Sequence, residues 1–107
     1  MNLSVITPTW NSASKIEDCV LSIINQHMTN FEHIIVDNIS SDNTLELIKS
    51  IYNREGLLNN LRIICEKDNG IAEAFNKGIE ASSGEIVGIL NSDDQFYNDS
   101  VQIYLLR

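Results

Sequence analysis

The 107-residue sequence predicts one α/β domain with a doubly wound, mostly parallel sheet and helices on both faces. Short β-type runs alternate with helical patterns four times along the chain, as βαβ units do. Apolar residues make up 43% of the sequence, which suits a folded chain with one core. No repeat, linker or low-complexity tract is visible, so we expect a single domain over residues 1–107.

The first βα unit lies at the amino terminus. The run Leu3–Thr7 predicts a strand that ends at Pro8. A helix is predicted from about Ser14 to Gln26, with Ser14 and Glu17 as a capping box. Apolar residues within it recur at helical spacing and predict one buried stripe: Ile16, Cys19, Val20, Ile23 and Ile24.

The second unit begins with a strand over Phe31–Asp37, whose continuous apolar centre is typical of a strand covered on both faces. A second helix is predicted to start near Ser41, a good N-cap residue. The side chains expected to face inward from it are Leu45, Ile48, Ile51 and Tyr52. A polar loop over 53–60 then leads to a third strand, Leu61–Cys65.

A third helix is predicted over about Gly70–Ser82, with Gly84 as its stop. Its expected inward side chains are Ile71, Ala74, Phe75 and Ile79. The run Glu85–Leu90 predicts a fourth strand, and 100–106 predicts one short helix. The fourth strand should then lie at an edge of the sheet, and an uncovered apolar edge invites pairing with a second copy, so a homodimer is expected.

Charge and composition exclude several classes of protein. Net charge is −8, with 15 acidic and 7 basic residues, which argues against a nucleic-acid ligand. No apolar run approaches the length of a membrane span and no secretory signal is visible, so a cytoplasmic protein is expected. The spacing of Cys19 and Cys65 fits reduced core residues, and His27 and His33 lack metal-ligand spacing.

Polar segments follow all four predicted strands, and in such sheets the carboxyl ends of the strands meet at one edge, where ligands bind. Polar loops are expected there in any case, but paired acids and the only tryptophan favour a binding site. The four segments are 8–11, 37–38, 66–69 and 91–94.

Four side chains at this edge carry alternative interpretations. Adjacent carboxylates at Asp93 and Asp94 suit a hard cation such as Mg²⁺ or Mn²⁺, or equally a turn with solvated acids. Trp10 can stack on a nucleobase, although an aromatic residue there more often packs under a helix. Asp37 can accept hydrogen bonds from a base or ribose, or help to cap the second helix. The sequence contains neither a Walker A nor a GxGxxG motif.

Taken together, these segments resemble glycosyltransferase family 2, the inverting group with the GT-A fold, over Leu3 to about Tyr97. Several short motifs occur in the family's order and spacing, so the fold would be the Rossmann-like half of GT-A. The matching segments are 4–11 (SVITPTWN), 22–26 (SIINQ), 34–44 (IIVDNISSDNT), 66–70 (EKDNG), 74–78 (AFNKG), and 84–85 (GE) followed by 90–94 (LNSDD).

The resemblance implies a donor-binding role in polysaccharide or glycan biosynthesis. The donor would be a UDP-, GDP- or dTDP-sugar, and the acceptor a glycan or a lipid-linked molecule. Mg²⁺ or Mn²⁺ would be held by Asp93 and Asp94. The residues implied to bind the nucleotide are Pro8, Thr9, Trp10, Asn11, Asp37, Asn38, Asp68, Asn91 and Ser92.

The sequence departs from the family pattern at two acidic positions. Asn38 replaces the second acid after the second strand, and Asn91 replaces the first acid of the DXD motif. The general base of the family would lie beyond Arg107, so no catalytic residue is assigned. Two alternatives remain: a cation-dependent nucleotide-binding fragment without transfer, and a receiver-type signalling module, which would need an aspartate at the end of the third strand.

Overall fold

Five strands form one sheet in a computed structural model that describes residues 3–28, 30–93 and, as backbone, 102–105. Its order is β3-β2-β1-β4-β5, in which the first four strands are parallel and the last is antiparallel to its neighbour. The predicted α/β class with a mostly parallel sheet is confirmed. The strands are Leu3–Thr9 (β1), Phe31–Asp37 (β2), Leu61–Cys65 (β3), Ile86–Ile89 (β4) and Gln102–Leu105 (β5).

Helices cover both faces of the sheet, as predicted. They are Ile16–Ile24 (α1), Thr44–Arg54 (α2) and Ile71–Ala81 (α3). Because successive side chains of a strand point to opposite faces, Val5 of β1 packs in the cluster shared with α1 and α2, whereas Ile6 packs against α3. The buried residues of β2 divide in the same way, which explains its continuous apolar run.

The first strand extends two residues further than predicted, through Pro8 to Thr9. Pairing of β1 with β4 ends at Ile6, while pairing with β2 continues to the Thr9–Asp37 position. Pro8 is therefore tolerated because the ladder on one side has already ended.

Both predicted helix caps are wrong. Helix α1 begins two residues after Ser14, with Lys15 at its N-cap and no side-chain cap bond; the Ser12 carbonyl instead accepts bonds from the N–H groups of Lys15 and Ile16, at 3.0 and 2.9 Å. Helix α2 begins at Thr44 rather than near Ser41. The two helix starts also contact each other, since the Ser12 N–H donates to Thr44 Oγ1 at 2.9 Å and the Ala13 N–H donates to Asp42 Oδ2 at 3.2 Å. A local sequence signature does not register such contacts.

The segment predicted as a short carboxyl-terminal helix contains strand β5 instead. Its four residues pair with β4, from Ile86 opposite Leu105 to Ile89 opposite Gln102. The expectation that the fourth strand forms an edge is therefore wrong, and the argument for a homodimer through that edge loses its basis. For a segment of four residues, hydrogen bonding to the unpaired edge of β4 is more favourable in free energy than forming a single isolated helical turn.

Three burial predictions are also wrong. Ile71 and Ile79 are 57% and 36% exposed, and Cys65 is exposed at the end of edge strand β3, whereas Cys19 is buried as expected. Helix α3 faces the sheet with Ala74 and Gly78, and a β-carbon at Gly78 would lie 2.4 Å from Ile6 Cγ2. This close approach turns the larger isoleucines of α3 outward.

Within the described residues, no helix combines the length and apolarity required to cross a bilayer.

Candidate functional site

Two adjoining clefts open at the carboxyl edge of the parallel strands. They share Pro8, Trp10 and Ile71 in their walls. Loops after β1, β2 and β4 and the first turn of α3 meet there, because parallel strands bring their carboxyl ends to one edge. The polar segments singled out in the sequence therefore lie together.

The larger cleft, of about 380 Å³, lies between the loop after β1, the start of α1 and the loop after β4. Asn91, Ser92 and Asp93 line one side of it, with Asn11 and Ser12 among the residues of the first loop. It can accept a polar or charged ligand group.

The smaller cleft, of about 200 Å³, has a mixed lining. Asn38 and Asp68 supply polar groups, and Thr9 and Ala74 are also part of its wall. The backbone N–H of Asp68 donates to Asn38 Oδ1 at 2.9 Å, which holds the loops after β2 and β3 together. Its size and mixed lining suit a flat heterocycle with polar edges.

Trp10 is 64% exposed, so its indole does not pack beneath a helix. Ile71, at the start of α3, is another large apolar residue exposed beside the same clefts. Exposed apolar side chains that line a cleft are typical of ligand sites. The exposure of the indole thus contradicts the alternative in which Trp10 packs under a helix.

Asp37 lies below the clefts and lines neither of them. Its carboxylate is fully buried and accepts bonds from Thr9 Oγ1 at 2.6 Å, from Ser40 N at 2.7 Å and from Ser40 Oγ at 2.6 Å. Between Asp37 and Ser40, Ile39 takes a left-handed conformation with φ of 51°. The geometry therefore makes Asp37 the anchor of the loop after β2.

Asn11 fixes the loop after β1 to the same loop. Its backbone has a positive φ of 46°, a conformation that asparagine adopts more readily than most residues. Asn11 Oδ1 accepts bonds from Ser41 N at 2.8 Å and Asp42 N at 3.3 Å, and the Asn11 N–H donates to Ser40 Oγ at 2.9 Å. The Asn11 side-chain oxygen thus faces protein, although the residue lines the larger cleft.

Ser12 connects the first loop to two others. Its hydroxyl donates to Ser92 Oγ at 3.2 Å, and its N–H donates to Thr44 Oγ1 at 2.9 Å. The Asn91 carbonyl accepts a longer bond from Cys19 Sγ at 3.6 Å. These contacts fix the position of the loop that carries Asp93 relative to α1.

A cation could be held here only with help from a ligand, as far as the described residues show. Asp93 is exposed and lines the larger cleft, and Asp94 lies outside the described residues. Over the described ranges, no group of three or more His, Cys, Asp or Glu side chains is placed to hold a metal. Mg²⁺ commonly binds through one or two carboxylates plus substrate phosphates, so this donor set fits such an ion.

The sequence model of glycosyl transferase family 2 matches residues 4–105. The chain belongs to glycosyl transferase family 2. A chondroitin synthase of Pasteurella multocida strain Pm70 is 35% identical over 103 residues, which are 96% of this chain.

Solved structures share the fold. The S. aureus TarS fragment 1–349 in complex with UDP-GlcNAc superposes with a TM-score of 0.79 at 32% identity over 89% of this chain. The mannosyltransferase PcManGT of Pyrobaculum calidifontis, in complex with GDP-Man and Mn²⁺, gives 0.80 at 30% identity over 88%. The match spans 10% of the chondroitin synthase and 27% and 28% of the two solved chains.

In this family 2 domain, the structure adds cleft residues that sequence reasoning missed: Ser12, Ser14, Lys15 and Ile71. Ser12, Ser14 and Lys15 lie within four residues after Asn11, so their position in the chain was a signal. Ile71 was assigned to the core because its helical spacing matched that of buried residues.

Proposed function

We propose that this domain binds the nucleoside diphosphate sugar donor of a glycosyltransferase that builds a polysaccharide or another glycan. The observation that carries the proposal is the pair of clefts joined at Trp10, one lined by Asn38 and Asp68 and the other by Asp93. A nucleotide sugar has matching parts, namely a flat base and ribose joined to a charged diphosphate. The solved relatives that contain UDP-GlcNAc or GDP-Man support this class of ligand.

In this proposal the base occupies the smaller cleft against the exposed face of Trp10. Stacking on an aromatic ring tolerates any base, whereas the polar groups of Asn38 and Asp68 would select among base or ribose edges. Asp37 acts beneath them by holding the loop after β2, because its carboxylate is already bonded to Thr9 and Ser40.

The diphosphate lies in the larger cleft beside Asp93. Asp93, together with Asp94, would hold Mg²⁺ or Mn²⁺ against the phosphates, and the relative solved with Mn²⁺ supports a divalent ion. Such an ion supplies positive charge as the nucleoside diphosphate departs from the sugar. The Ser12–Ser92 hydrogen bond keeps the Asp93 loop in place before the ligand arrives. Transfer to a glycan or lipid-linked acceptor is proposed for the enzyme to which this domain contributes.

Calorimetric titration of the full chain with UDP, GDP and dTDP, with Mn²⁺ or with EDTA, tests the proposal. We expect one nucleotide to bind best and to bind more tightly with Mn²⁺. Asp93→Asn should remove the Mn²⁺-dependent part of the affinity. Glu80→Gln, which removes one exposed carboxylate at the far end of α3, should retain it. Absence of binding by the wild type, or equal Mn²⁺ dependence in Asp93→Asn, would refute the assignment.

A further inference from the structure

Lys15 is a charged residue of the larger cleft for which the sequence motifs assign no role. Among the described residues that line this cleft, the charged ones are Lys15 and Asp93. The Lys15 side chain is exposed at the N-cap of α1, so its ammonium group is accessible to a ligand in the cleft.

The ammonium group of Lys15 has no ion-pair partner among the residues that the structure describes. By contrast, Arg54, Arg62 and Lys77 each lie within 3.5 Å of a glutamate oxygen. On a chain with a net charge of −8, an unpaired cation in a cleft beside a carboxylate is positioned for an anionic ligand.

One backbone and one side-chain hydrogen bond connect Lys15 to the Asp93 loop. The Lys15 N–H donates to the Ser12 carbonyl at 3.0 Å, and the Ser12 hydroxyl donates to Ser92 Oγ at 3.2 Å. Ser92 directly precedes Asp93. The base of the lysine side chain is therefore tied, through two hydrogen bonds, to the loop that would carry the cation.

We infer that Lys15 contacts the diphosphate of the bound nucleotide and supplies positive charge in the cleft that Asp93 also lines. This inference rests on the proposed function. Both phosphates of a nucleotide sugar are ionised at neutral pH, and Asn91 stands where the family pattern has an acid. A lysine binds phosphate as a point charge, so it can act with or without the divalent ion.

Binding of nucleotides and nucleosides to the full chain tests this role. Trp10 is the only tryptophan and lines both clefts, so its fluorescence reports both kinds of ligand. The probes are UDP and GDP, with the phosphate-free uridine and guanosine as their controls. Lys15→Ala should weaken binding of the preferred nucleoside diphosphate by about 5- to 10-fold and leave binding of its nucleoside unchanged.

Two further variants separate a local contact from a change in overall charge. Lys15→Arg should restore most of the affinity. Lys49→Ala removes the same charge from an exposed position on α2 that lines neither cleft, and it should bind as the wild type does. If Lys15→Ala binds the diphosphate normally, or loses nucleoside binding equally, the inference is wrong while the proposed function stands. If the wild type binds no nucleotide, both fail.

Discussion

His33 lies in β2 with its imidazole fully buried between two hydroxyl groups. Nε2 lies 2.7 Å from Thr7 Oγ1, and Nδ1 lies 2.8 Å from the Tyr52 hydroxyl oxygen. A neutral imidazole offers one donor and one acceptor, which these two hydroxyls can match. Burial lowers the pKa of His33 from 6.5 to about 3, because the charged ring would lose its hydration.

This pKa shift links the stability of the fold to pH. The unfolded chain takes up the proton on this residue below about pH 6.5 and the folded chain only near pH 3, so the free energy of unfolding falls as pH drops through that interval. Between pH 7 and pH 5 the expected loss is about 2 kcal/mol, since each pH unit below the unfolded pKa corresponds to about 1.4 kcal/mol.

The carboxylates with shifted pKa values affect the pH dependence of the free energy of unfolding mainly at lower pH. The Thr44 hydroxyl lowers the pKa of Asp42 below 3.8. Burial raises the pKa of Glu32, but hydrogen bonds from Ser4 and Ser83 outweigh it, so that the net value lies below 4.5. The stability that these two groups contribute is therefore lost chiefly below pH 5.

Urea unfolding at pH 7 and at pH 5 measures the effect of His33. The free energy of unfolding of the wild type should be about 2 kcal/mol lower at pH 5 than at pH 7. For His33→Gln this decrease should be much smaller, whatever the stability of the variant at pH 7. His27→Gln is the matched control, because that exposed side chain changes its solvation little on folding, and it should keep the wild-type dependence. An equal loss in His33→Gln would show that this reasoning is wrong.

Three other substitutions test the site and the packing beneath it. Trp10→Ala should weaken nucleotide binding by about 1–3 kcal/mol in calorimetry with an unchanged melting temperature, and a large fall in melting temperature with intact binding would contradict the stacking role. Gly78→Ala should destabilise the fold by about 1–3 kcal/mol in urea, because a β-carbon would lie 2.4 Å from Ile6 Cγ2, whereas Glu80→Ala on the same helix should change stability by less than about 0.5 kcal/mol. Asp37→Asn should cost about 1.5–3 kcal/mol of stability and also weaken nucleotide binding through the displaced loop; unchanged stability would show that the buried bonds to Asp37 contribute little.

The elements with strong local periodicity were predictable from sequence. The stripe of α1 is buried as expected, and the apolar centre of β2 is covered on both faces. The parallel arrangement also followed from the alternation of strands and helices, since parallel neighbours need a crossover between them. The helix caps were not predictable, because contacts to other loops fix the first turns of α1 and α2.

The candidate site, too, was only partly predictable from the sequence. Polar residues at strand ends could be grouped from sequence, because a parallel sheet brings those ends to one edge. The roles of individual side chains could not: Asp37 is directed into the protein, and Trp10 and Ile71 are exposed rather than packed. Burial depends on which neighbour lies across the strand or helix, and that neighbour is distant in the sequence.

The sequence by itself determined the α/β class, the identity of four parallel strands and the edge at which the candidate site residues gather. Those properties depend on residue periodicity and on the handedness of βαβ units, which operate over short stretches of chain. Only the tertiary structure decided that β5 covers β4, that α3 approaches β1 at Gly78 and that Lys15 lines the cleft with Asp93. Each of these depends on backbone pairing or packing between residues far apart in the chain, which local patterns do not encode.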